Sequence, residues 1–447
     1  MIFRNILFVG FEQDHLHQCL RECLKGKTLN TVGLISEINI KELDLIYYKQ
    51  KPLFRNTTFD FIDNTTMPGK DIIKKMSHHE SIAIKMMDRN HKYPFKSYDK
   101  RKILYMSQLT NAYSLLLNYD YKLILFSIIP HATFNYILFN LAKLLGIQTK
   151  FFSQIQVQDI FCISDSISDL HSDLSVESNT NYVLSSNLQS EFKSRSNNEA
   201  PFYMSNRGLN LLQILYNLQK RIFRVHTYTQ WAYSIKTKLI YIFTKKHSIP
   251  INNKYIYFPL HFQPESSTSP QGDIYVDQYL AILTLSKALP EGITILVKEH
   301  PKQAIWRRSD GFYSILRKLD NVKFISKKEN SHTLIYNSIA VATITGTAGW
   351  EAIFNKIPVF AFGKPFYKNM TGVINIQDST QIKDCIKSIL NKTFVLACES
   401  DIKSFLYSIQ KNYEYGVTDQ TYLRQSNLSY RENTSLIIKA IYKAINL

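Results

Sequence analysis

The sequence predicts an α/β protein with two domains, each built around a parallel β-sheet. Short apolar segments rich in β-branched residues alternate with helix-length segments, which is the pattern that parallel sheets produce. The chain between successive strands is about as long as a parallel crossover helix requires. A chain of 447 residues is long for one hydrophobic core, and this length favours two domains.

The first half predicts one α/β domain. Its first strand is followed by a helix, and a polar region from about residue 54 to 101 predicts loops and short helices. Further along, a strand, a helix closed by Gly146 as its C-cap, and another strand form one parallel unit. The predicted strands are Ile6–Val9, Tyr121–Ser127 and Gln148–Phe152, with a helix over about Thr133–Leu145.

The second half predicts a second sheet and a terminal helix. The chain turns polar near residue 250, and we therefore predict a first domain over residues 1–250 and a second over 251–429. Residues 430–447 predict a separate helix with apolar residues along one side. The predicted strands of the second domain are Tyr255–Leu260, Ile293–Val297, Val341–Ile344 and Ile357–Phe362.

A basic, aromatic-rich stretch near residues 205–247 lies between the two halves. The chain has a net charge of +18, and Pro201 to Pro264 contains no Asp or Glu. Amphipathic helices of this composition suit an anionic membrane surface, with nucleic acid as a competing partner. No helix-turn-helix, RNP or zinc-finger pattern is present, which favours the membrane, and a solvated basic face is the remaining alternative.

Several classes of protein are disfavoured by composition. No run of about 18 apolar residues is present, which argues against a membrane-spanning helix, and the apolar N-terminus lacks the basic leader of a signal peptide. The five cysteines form no metal-binding or disulfide pattern, and this favours a reducing cytoplasm. We therefore expect no structural metal.

Three polar blocks follow predicted strands of the second domain. They are Leu260–Thr268, which contains His261, Gln263 and Glu265; Lys298–Pro301, which contains His300; and Thr345–Ala352, which contains Gly346, Thr347, Gly349 and Glu351. In parallel sheets, ligands bind outside the carboxyl ends of the strands, often with an anion at a helix N-terminus. The blocks therefore predict a site for a phosphate-containing ligand, while Trp350 is expected to pack in the core.

These blocks, together with Pro358–Tyr367, resemble the bacterial capsular polysaccharide biosynthesis family. The resemblance covers residues 255–367 most clearly and is looser around Phe126–His131 and Leu141–Ile147. It implies the GT-B fold, in which two Rossmann-like domains face each other across a cleft. It also implies a glycosyltransferase similar to the Kdo transferases of capsule synthesis.

The resemblance implies a set of donor-binding residues. His300 with Pro301 and Thr345 with Thr347 would hold the nucleotide, and Glu351 is similar to the carboxylate that binds ribose hydroxyls in many GT-B enzymes. Neighbouring candidates from the residue pattern complete the expected donor site: His261, Gln263, Lys298, Gly346 and Gly349. Protein dipoles and cations can steady a leaving nucleotide, so no metal is required in principle.

Acceptor activation needs a base if the reaction inverts the anomeric centre. Asp14, His15 and His131 are the candidates in the first domain, and Glu265 is a candidate in the second. Plain structural roles are the alternatives: a loop histidine at 131, and a carboxylate that caps the serines after 265. The pattern does not choose between an inverting and a retaining reaction.

The expected function is transfer of a sugar from a nucleotide donor to a growing capsule or lipopolysaccharide glycan. CMP-Kdo or a related CMP-linked acid sugar is favoured, and a UDP, GDP or dTDP hexose is an alternative. A glycerol- or ribitol-phosphate transferase with a CDP donor is a second enzyme class, and a non-catalytic nucleotide-binding assembly protein is a third possibility. The expected partners are the donor, a glycan or glycolipid acceptor and an anionic membrane, with the protein peripheral on the cytoplasmic side of the inner membrane.

Overall fold

The chain forms two compact units in a computed structural model. The units are Met1–Asp173 with Ser408–Leu447, and Leu174–Tyr407; we call them unit 1 and unit 2. The structure describes residues 2–49, 65–87, 97–177, 182–199, 235–236, 238–242, 246–247, 254–263, 265–303, 308 and 310–446.

Unit 1 begins with alternating strands and helices, as the sequence predicts. The helices α2 and α3 lie in the region predicted to hold short helices, while the long helix α4 was not predicted. The elements are β1 (Ile2–Val9), α1 (Asp14–Leu24), β2 (Thr28–Ser36), β3 (Ile46–Lys49), α2 (Lys70–Met76), α3 (Glu80–Met86), α4 (Tyr98–Asn118), β4 (Leu123–Phe126), α5 (Thr133–Leu144), β5 (Gln148–Gln154) and β6 (Ile160–Ser164).

Unit 2 repeats the alternation around a second sheet. The predicted strands are present within one or two residues of their expected ends. The elements are α6 (Ser186–Ser196), β7 (Lys246–His247), β8 (Tyr255–Pro259), α7 (Gln278–Ala288), β9 (Thr294–Lys298), α8 (Asp310–Leu316), β10 (Val322–Ile325), α9 (Ser331–Tyr336), β11 (Ala340–Thr343), α10 (Thr347–Phe354), β12 (Val359–Ala361), β13 (Val373–Asn375) and α11 (Ser379–Leu390).

The chain then returns to unit 1 through α12 (Glu399–Asn412). It adds β14 (Glu414–Tyr415), α13 (Gln420–Leu423) and α14 (Tyr430–Asn446). Ile437 and Ile441 of α14 pack with Phe8 of β1 and Leu16 of α1 in one apolar cluster. The terminal helix is therefore part of the first unit's core.

Both sheets have the Rossmann strand order. Unit 1 has the order β14-β6-β5-β4-β1-β2-β3, and unit 2 has β13-β12-β11-β8-β9-β10-β7. All pairs are parallel in unit 2, while β6 and β14 run antiparallel to their neighbours in unit 1. From β1 in unit 1 and from β8 in unit 2, the chain adds strands on one side and then returns to add strands on the other side. The predicted α/β class with two Rossmann-like domains is confirmed.

The division between the units differs from the boundary predicted near residue 250. Helix α6 belongs to unit 2 because it packs against α10: the ring centroids of Phe192 and Phe354 are 5.9 Å apart. The indole Nε1–H of Trp350 also donates to Glu191 Oε1 at 3.3 Å. Such contacts join residues far apart in sequence, so no local sequence pattern predicts them.

Most of the predicted basic stretch lies outside the described residues, including Arg207, Lys220, Arg221 and Arg224. Among the helices that the structure describes, none is both long and apolar enough to cross a membrane.

Candidate functional site

The candidate site lies where the strand order of unit 2 reverses. Strand β8 has β9 on one side and β11 on the other, and the chain leaves β8 and β11 at the same edge of the sheet. His261 follows β8, and Thr345 and Gly346 follow β11. A reversal of strand order leaves a crevice between two such loops, and ligands of open α/β sheets bind there.

His261 holds the turn after β11. Its Nε2 lies 3.3 Å from the backbone nitrogens of Ile344 and Thr345 and 3.1 Å from Thr343 Oγ1. Backbone N–H groups only donate, which makes Nε2 the acceptor and places the proton of the neutral ring on Nδ1. Burial lowers the pKa of His261 to about 3, with the charges of His300 and Arg308 acting in the same direction. The predicted ligand residue is therefore a neutral support of the turn.

Small residues let the turn fold closely. The Gly346 N–H donates to Thr343 Oγ1 at 3.0 Å, and a Cβ on Gly346 would lie 2.8 Å from that oxygen. Tyr367 donates to the carbonyl of Gly346, and a Cβ on Gly349 would lie 2.2 Å from the Tyr367 hydroxyl oxygen. Thr345 Oγ1 donates to the Ser267 carbonyl at 2.7 Å. The turn thus fixes Gly346 as the N-cap of α10.

The N-terminus of α10 lies at this edge and offers backbone N–H groups that suit an anion. The first N–H groups of a helix, here those of Thr347 and Ala348, have no carbonyl partner within it. The helix dipole adds partial positive charge at the same place. The hydroxyl and N–H of Thr345 are already engaged by Ser267 and His261, so the groups that can meet an anion begin at Thr347.

A buried ion pair lies beneath the chain after β9. Arg308 donates through Nε to Glu299 Oε2 at 2.7 Å and through Nη2 to Glu299 Oε1 at 2.6 Å. Tyr313 of α8 donates to Glu299 Oε2 at 2.6 Å. Although burial opposes it, the Arg308 charge with these hydrogen bonds holds the pKa of Glu299 below its ordinary value. Neither Arg308 nor Tyr313 was predicted, because the pairing depends on chain folding between β9 and α8.

His300 is a half-buried histidine of this edge. Its Nδ1 accepts from the backbone N–H of Lys302 at 3.2 Å, which leaves the proton of the neutral ring on Nε2. Burial lowers its pKa to about 4, Glu299 opposes this shift, and Lys302, Arg308 and Lys327 add to it. The ring also packs 5.5 Å from the Phe262 ring. Near pH 7 His300 is therefore a neutral side chain whose Nε2–H can donate to an anionic oxygen.

Lys298 supports the neighbouring loop. Its Nζ donates to the Glu329 carbonyl at 2.6 Å and to Ser331 Oγ at 2.7 Å. Burial lowers its pKa, opposed by the carboxylates of Glu329 and Glu351. The predicted ligand residue thus ties the end of β9 to the start of α9.

Glu351 is a mostly enclosed carboxyl in the second turn of α10, and its side chain is 11% exposed. Burial raises its pKa to about 7, while Arg195, a hydrogen bond from Thr347 and Lys298 act against this shift. Its Oε2 lies 3.8 Å from His332 Nδ1. Near neutral pH Glu351 therefore exists in both protonation states, so it can either donate or accept a hydrogen bond.

The other predicted residues of unit 2 occupy the loops of this edge. Gln263 donates to the Val276 carbonyl and accepts from Arg308 Nη1 at 2.8 Å, which fixes its amide. Glu265 is exposed and accepts from Ser267 Oγ at 3.0 Å. Pro301 is exposed beside His300. Trp350 is fully buried, as expected for core packing.

The predicted acceptor-side residues lie at the corresponding edge of unit 1. Asp14 is exposed and is the first residue of α1, after β1. His131 lies between β4 and α5, and its Nδ1 donates to the Ile129 carbonyl at 2.9 Å. His15 is 2% exposed, and burial lowers its pKa. Asp14 and His131 therefore flank the strand-order reversal of unit 1, where β1 and β4 are neighbours.

Within the described ranges, no group of three or more His, Cys, Asp or Glu side chains is placed to hold a metal ion. The site in unit 2 instead offers N–H donors: the helix terminus and the His300 ring. Such donors bind an anion by hydrogen bonds and partial positive charge.

The chain matches one protein-family model, described as capsule polysaccharide biosynthesis protein, over residues 185–415, which is more than half of its length. No curated protein matches it. Solved structures similar to it include two of Thermosulfurimonas dismutans KpsC. The beta Kdo 2,7 transferase is 11% identical with a TM-score of 0.33, covering 82% of this chain and 95% of that one.

The beta Kdo 2,4 transferase is 12% identical with a TM-score of 0.37, covering 71% of this chain and 88% of that one. A third similar structure is UDP-GlcNAc 2-epimerase from Neisseria meningitidis bound to UDP-GlcNAc. It is 12% identical with a TM-score of 0.25, and the match covers both chains completely. The family match confirms the resemblance drawn from the sequence blocks.

Proposed function

Because the chain belongs to the capsule polysaccharide biosynthesis family, we propose that it is a glycosyltransferase that moves a sugar from a nucleotide donor to a growing surface glycan. The observation that carries this proposal is that a neutral His300, after β9, and the N-terminus of α10, after β11, lie at the same carboxyl edge of the unit 2 sheet. Both features favour an anionic ligand, and neither requires a titratable cation.

The donor's phosphate would lie between these two features. The Nε2–H of His300 and the N–H groups of Thr347 and Ala348 would donate to phosphate oxygens. When the bond between the sugar and the nucleotide phosphate breaks, negative charge grows on the departing nucleotide. N–H donors held in place by the protein stabilise this developing charge more than they stabilise the intact donor. With these donors the proposed transfer would not require a metal in principle.

Glu351 would bind the sugar ring of the nucleotide. It lies one turn into α10, behind the proposed phosphate position, and its protonated form can donate while its ionised form can accept. A CMP-linked acid sugar such as CMP-Kdo is the favoured donor. The His300–Pro301 and Thr345–Thr347 blocks resemble the nucleotide-binding blocks of capsule transferases that use such donors.

On the acceptor side we propose Asp14 or His131 as the group that receives the acceptor's proton. Each follows a strand of the unit 1 sheet, next to its strand-order reversal. An exposed carboxylate or a loop imidazole can accept a proton without first breaking a buried ion pair. Glu265 is the remaining candidate, with its carboxylate turned to Ser267.

We also propose that the protein works on the cytoplasmic face of the inner membrane, held there by the basic stretch. Replacing Lys220, Arg221 and Arg224 with Glu should release the protein from anionic vesicles at physiological salt, since each cation adds about 1 kcal/mol of surface attraction. Unchanged co-sedimentation of the triple variant would contradict this part of the proposal.

The first experiment is a thermal-shift series with CMP, CDP, UDP, GDP and dTDP. A ligand that binds only the folded state raises the unfolding midpoint in proportion to RT ln(1 + [L]/Kd). We expect CMP to give the largest shift, His300→Ala to abolish it, and His78→Ala, an exposed histidine of unit 1, to leave it unchanged.

The other outcomes separate the alternatives. A preference for CDP would favour the polyol-phosphate transferase, and phosphate analysis of the product would test it. A preference for UDP, GDP or dTDP would favour a hexose donor. Nucleotide binding without donor consumption would indicate a non-catalytic assembly protein, and no shift with any nucleotide would refute the proposed donor site.

A further inference from the structure

Arg308 places a fully buried guanidinium beneath the candidate site. Its side chain is 0% exposed, and that of Glu299 is 1% exposed. The two groups form a fork, with distances of 2.7 Å from Nε to Oε2 and 2.6 Å from Nη2 to Oε1. Arginine suits such a site because its planar N–H groups match a carboxylate at two points.

The same guanidinium also contacts the chain after β8. Nη1 donates to Gln263 Oε1 at 2.8 Å, and Nη2 donates to the backbone carbonyl of His261 at 2.8 Å. A lysine carries one compact ammonium and cannot reach all these acceptors in one plane. Arg308 therefore joins the two loops that carry His261 and His300.

Glu299 transmits this connection to His300. Its Oε1 accepts the backbone N–H of His300 at 2.8 Å, and its Oε2 accepts the Tyr313 hydroxyl at 2.6 Å. The peptide that precedes the His300 side chain is thus fixed by a carboxylate that Arg308 itself holds. On the other loop, the His261 ring supports the turn before α10.

We propose that Arg308 is a positioning residue of this site. It holds the chains after β8 and β9 in the one arrangement that presents His300 and the N-terminus of α10 to the same ligand. The inference rests on the proposed function only for the identity of that ligand. Contact between Arg308 and the ligand is not part of it, because the guanidinium is fully enclosed.

The test compares Arg308→Lys with the wild-type protein in two measurements. The first is the affinity for CMP, and the second is the NMR signal of the His300 ring at pH 7. The ring signal is assigned among the 12 histidines by its absence in His300→Gln. We expect the variant to bind CMP at least tenfold more weakly and to show a displaced His300 signal.

Two further variants separate positioning from folding. Glu299→Met combined with Arg308→Met removes both buried charges, a change that cores often tolerate even when removal of one partner is not tolerated. It should fold, and it should also lose affinity and shift the His300 signal. Asn321→Ala is the matched control. It removes two hydrogen bonds with Ser286 at the opposite edge of the same sheet, so it should lower the unfolding midpoint without changing either measurement.

The proposal is overturned if the folded Arg308 variants bind CMP like the wild-type protein. It is also overturned if they lose affinity while the His300 signal stays in place. If the wild-type protein binds no nucleotide, the proposed function fails instead, and the His300 signal alone then decides whether Arg308 positions that ring.

Discussion

Replacement of Glu351 by Gln should make the protein more stable at alkaline pH and have little effect at acidic pH. Glu351 is almost fully enclosed, and burial raises its pKa from 4.5 to about 7 against the pull of Arg195, Thr347 and Lys298. A carboxyl with a raised pKa binds its proton more tightly in the folded state. As pH rises from 4.5 to 7, the unfolded chain releases a proton that the folded protein retains, so stability falls through this window and then levels off.

The magnitude follows from the size of the shift. Each unit of pKa corresponds to 1.36 kcal/mol, so a rise of about 2.5 units costs about 3 kcal/mol above pH 7. At pH 5 most of this cost is absent. Glutamine is neutral throughout and can still accept the hydrogen bond from Thr347. Between pH 5 and pH 8 the stability advantage of Glu351→Gln should therefore grow by about 2.5 kcal/mol.

The assay is urea unfolding of both proteins at pH 5, 6, 7 and 8. His261 and His300 have lowered pKa values, so the folded protein becomes less stable as pH falls below 6.5. This loss is the same in both proteins and therefore cancels in the difference between them. His332 lies 3.8 Å from Glu351, so the same comparison in a His332→Asn background isolates the carboxyl. An advantage of equal size at pH 5 and pH 8 would refute the reasoning.

Two further substitutions test the turn before α10. Gly349→Ala should cost about 1–3 kcal/mol of stability because its Cβ would lie too close to the Tyr367 hydroxyl. The control in urea unfolding is Gly69→Ala, where a Cβ meets nothing within 4 Å. Equal losses of stability in the two variants would contradict the predicted steric clash at Gly349. His261→Leu should lower the free energy of unfolding by about 2–6 kcal/mol. The reason is that the leucine leaves two buried backbone N–H groups without an acceptor. A loss below about 1 kcal/mol in the same assay would show that the ring does not support the turn.

The strands of unit 2 could be predicted from sequence because their signal is local. The run Ile293–Val297 is apolar and bounded by turn residues, and the structure places β9 at Thr294–Lys298. The strand order was not predicted, but the carboxyl ends of parallel strands share one edge of a sheet, and the polar blocks that follow the strands lie at that edge. For this reason the edge that carries the candidate site could be located without a structure.

Helix α4 shows where local patterns fail. Its 21 residues include polar side chains that are buried, among them Gln108, Thr110, Asn111 and Ser114. Buried polar residues interrupt the apolar stripe that marks an amphipathic helix, so the sequence around 98–118 has no clear helical period. The assignment of α6 to unit 2 was missed for a different reason, because its evidence is the long-range bond between Trp350 and Glu191.

The candidate site has an enclosed layer and an accessible layer, and the sequence could not separate them. His261, Glu299 and Arg308 are buried, and their hydrogen bonds are made to other groups of the protein. His300 and the first N–H groups of α10, by contrast, can face a ligand. His261, His300 and the N-terminus of α10 all come directly after a strand end, so that one signal predicted groups of both kinds, while Arg308 lies farther from β9 and was not predicted. Residue type does not distinguish them either, since one histidine lies in each layer. Only the hydrogen-bond partners distinguish the two layers. Substitutions in the enclosed layer should therefore lower both stability and ligand affinity, while His300→Ala should lower ligand affinity alone.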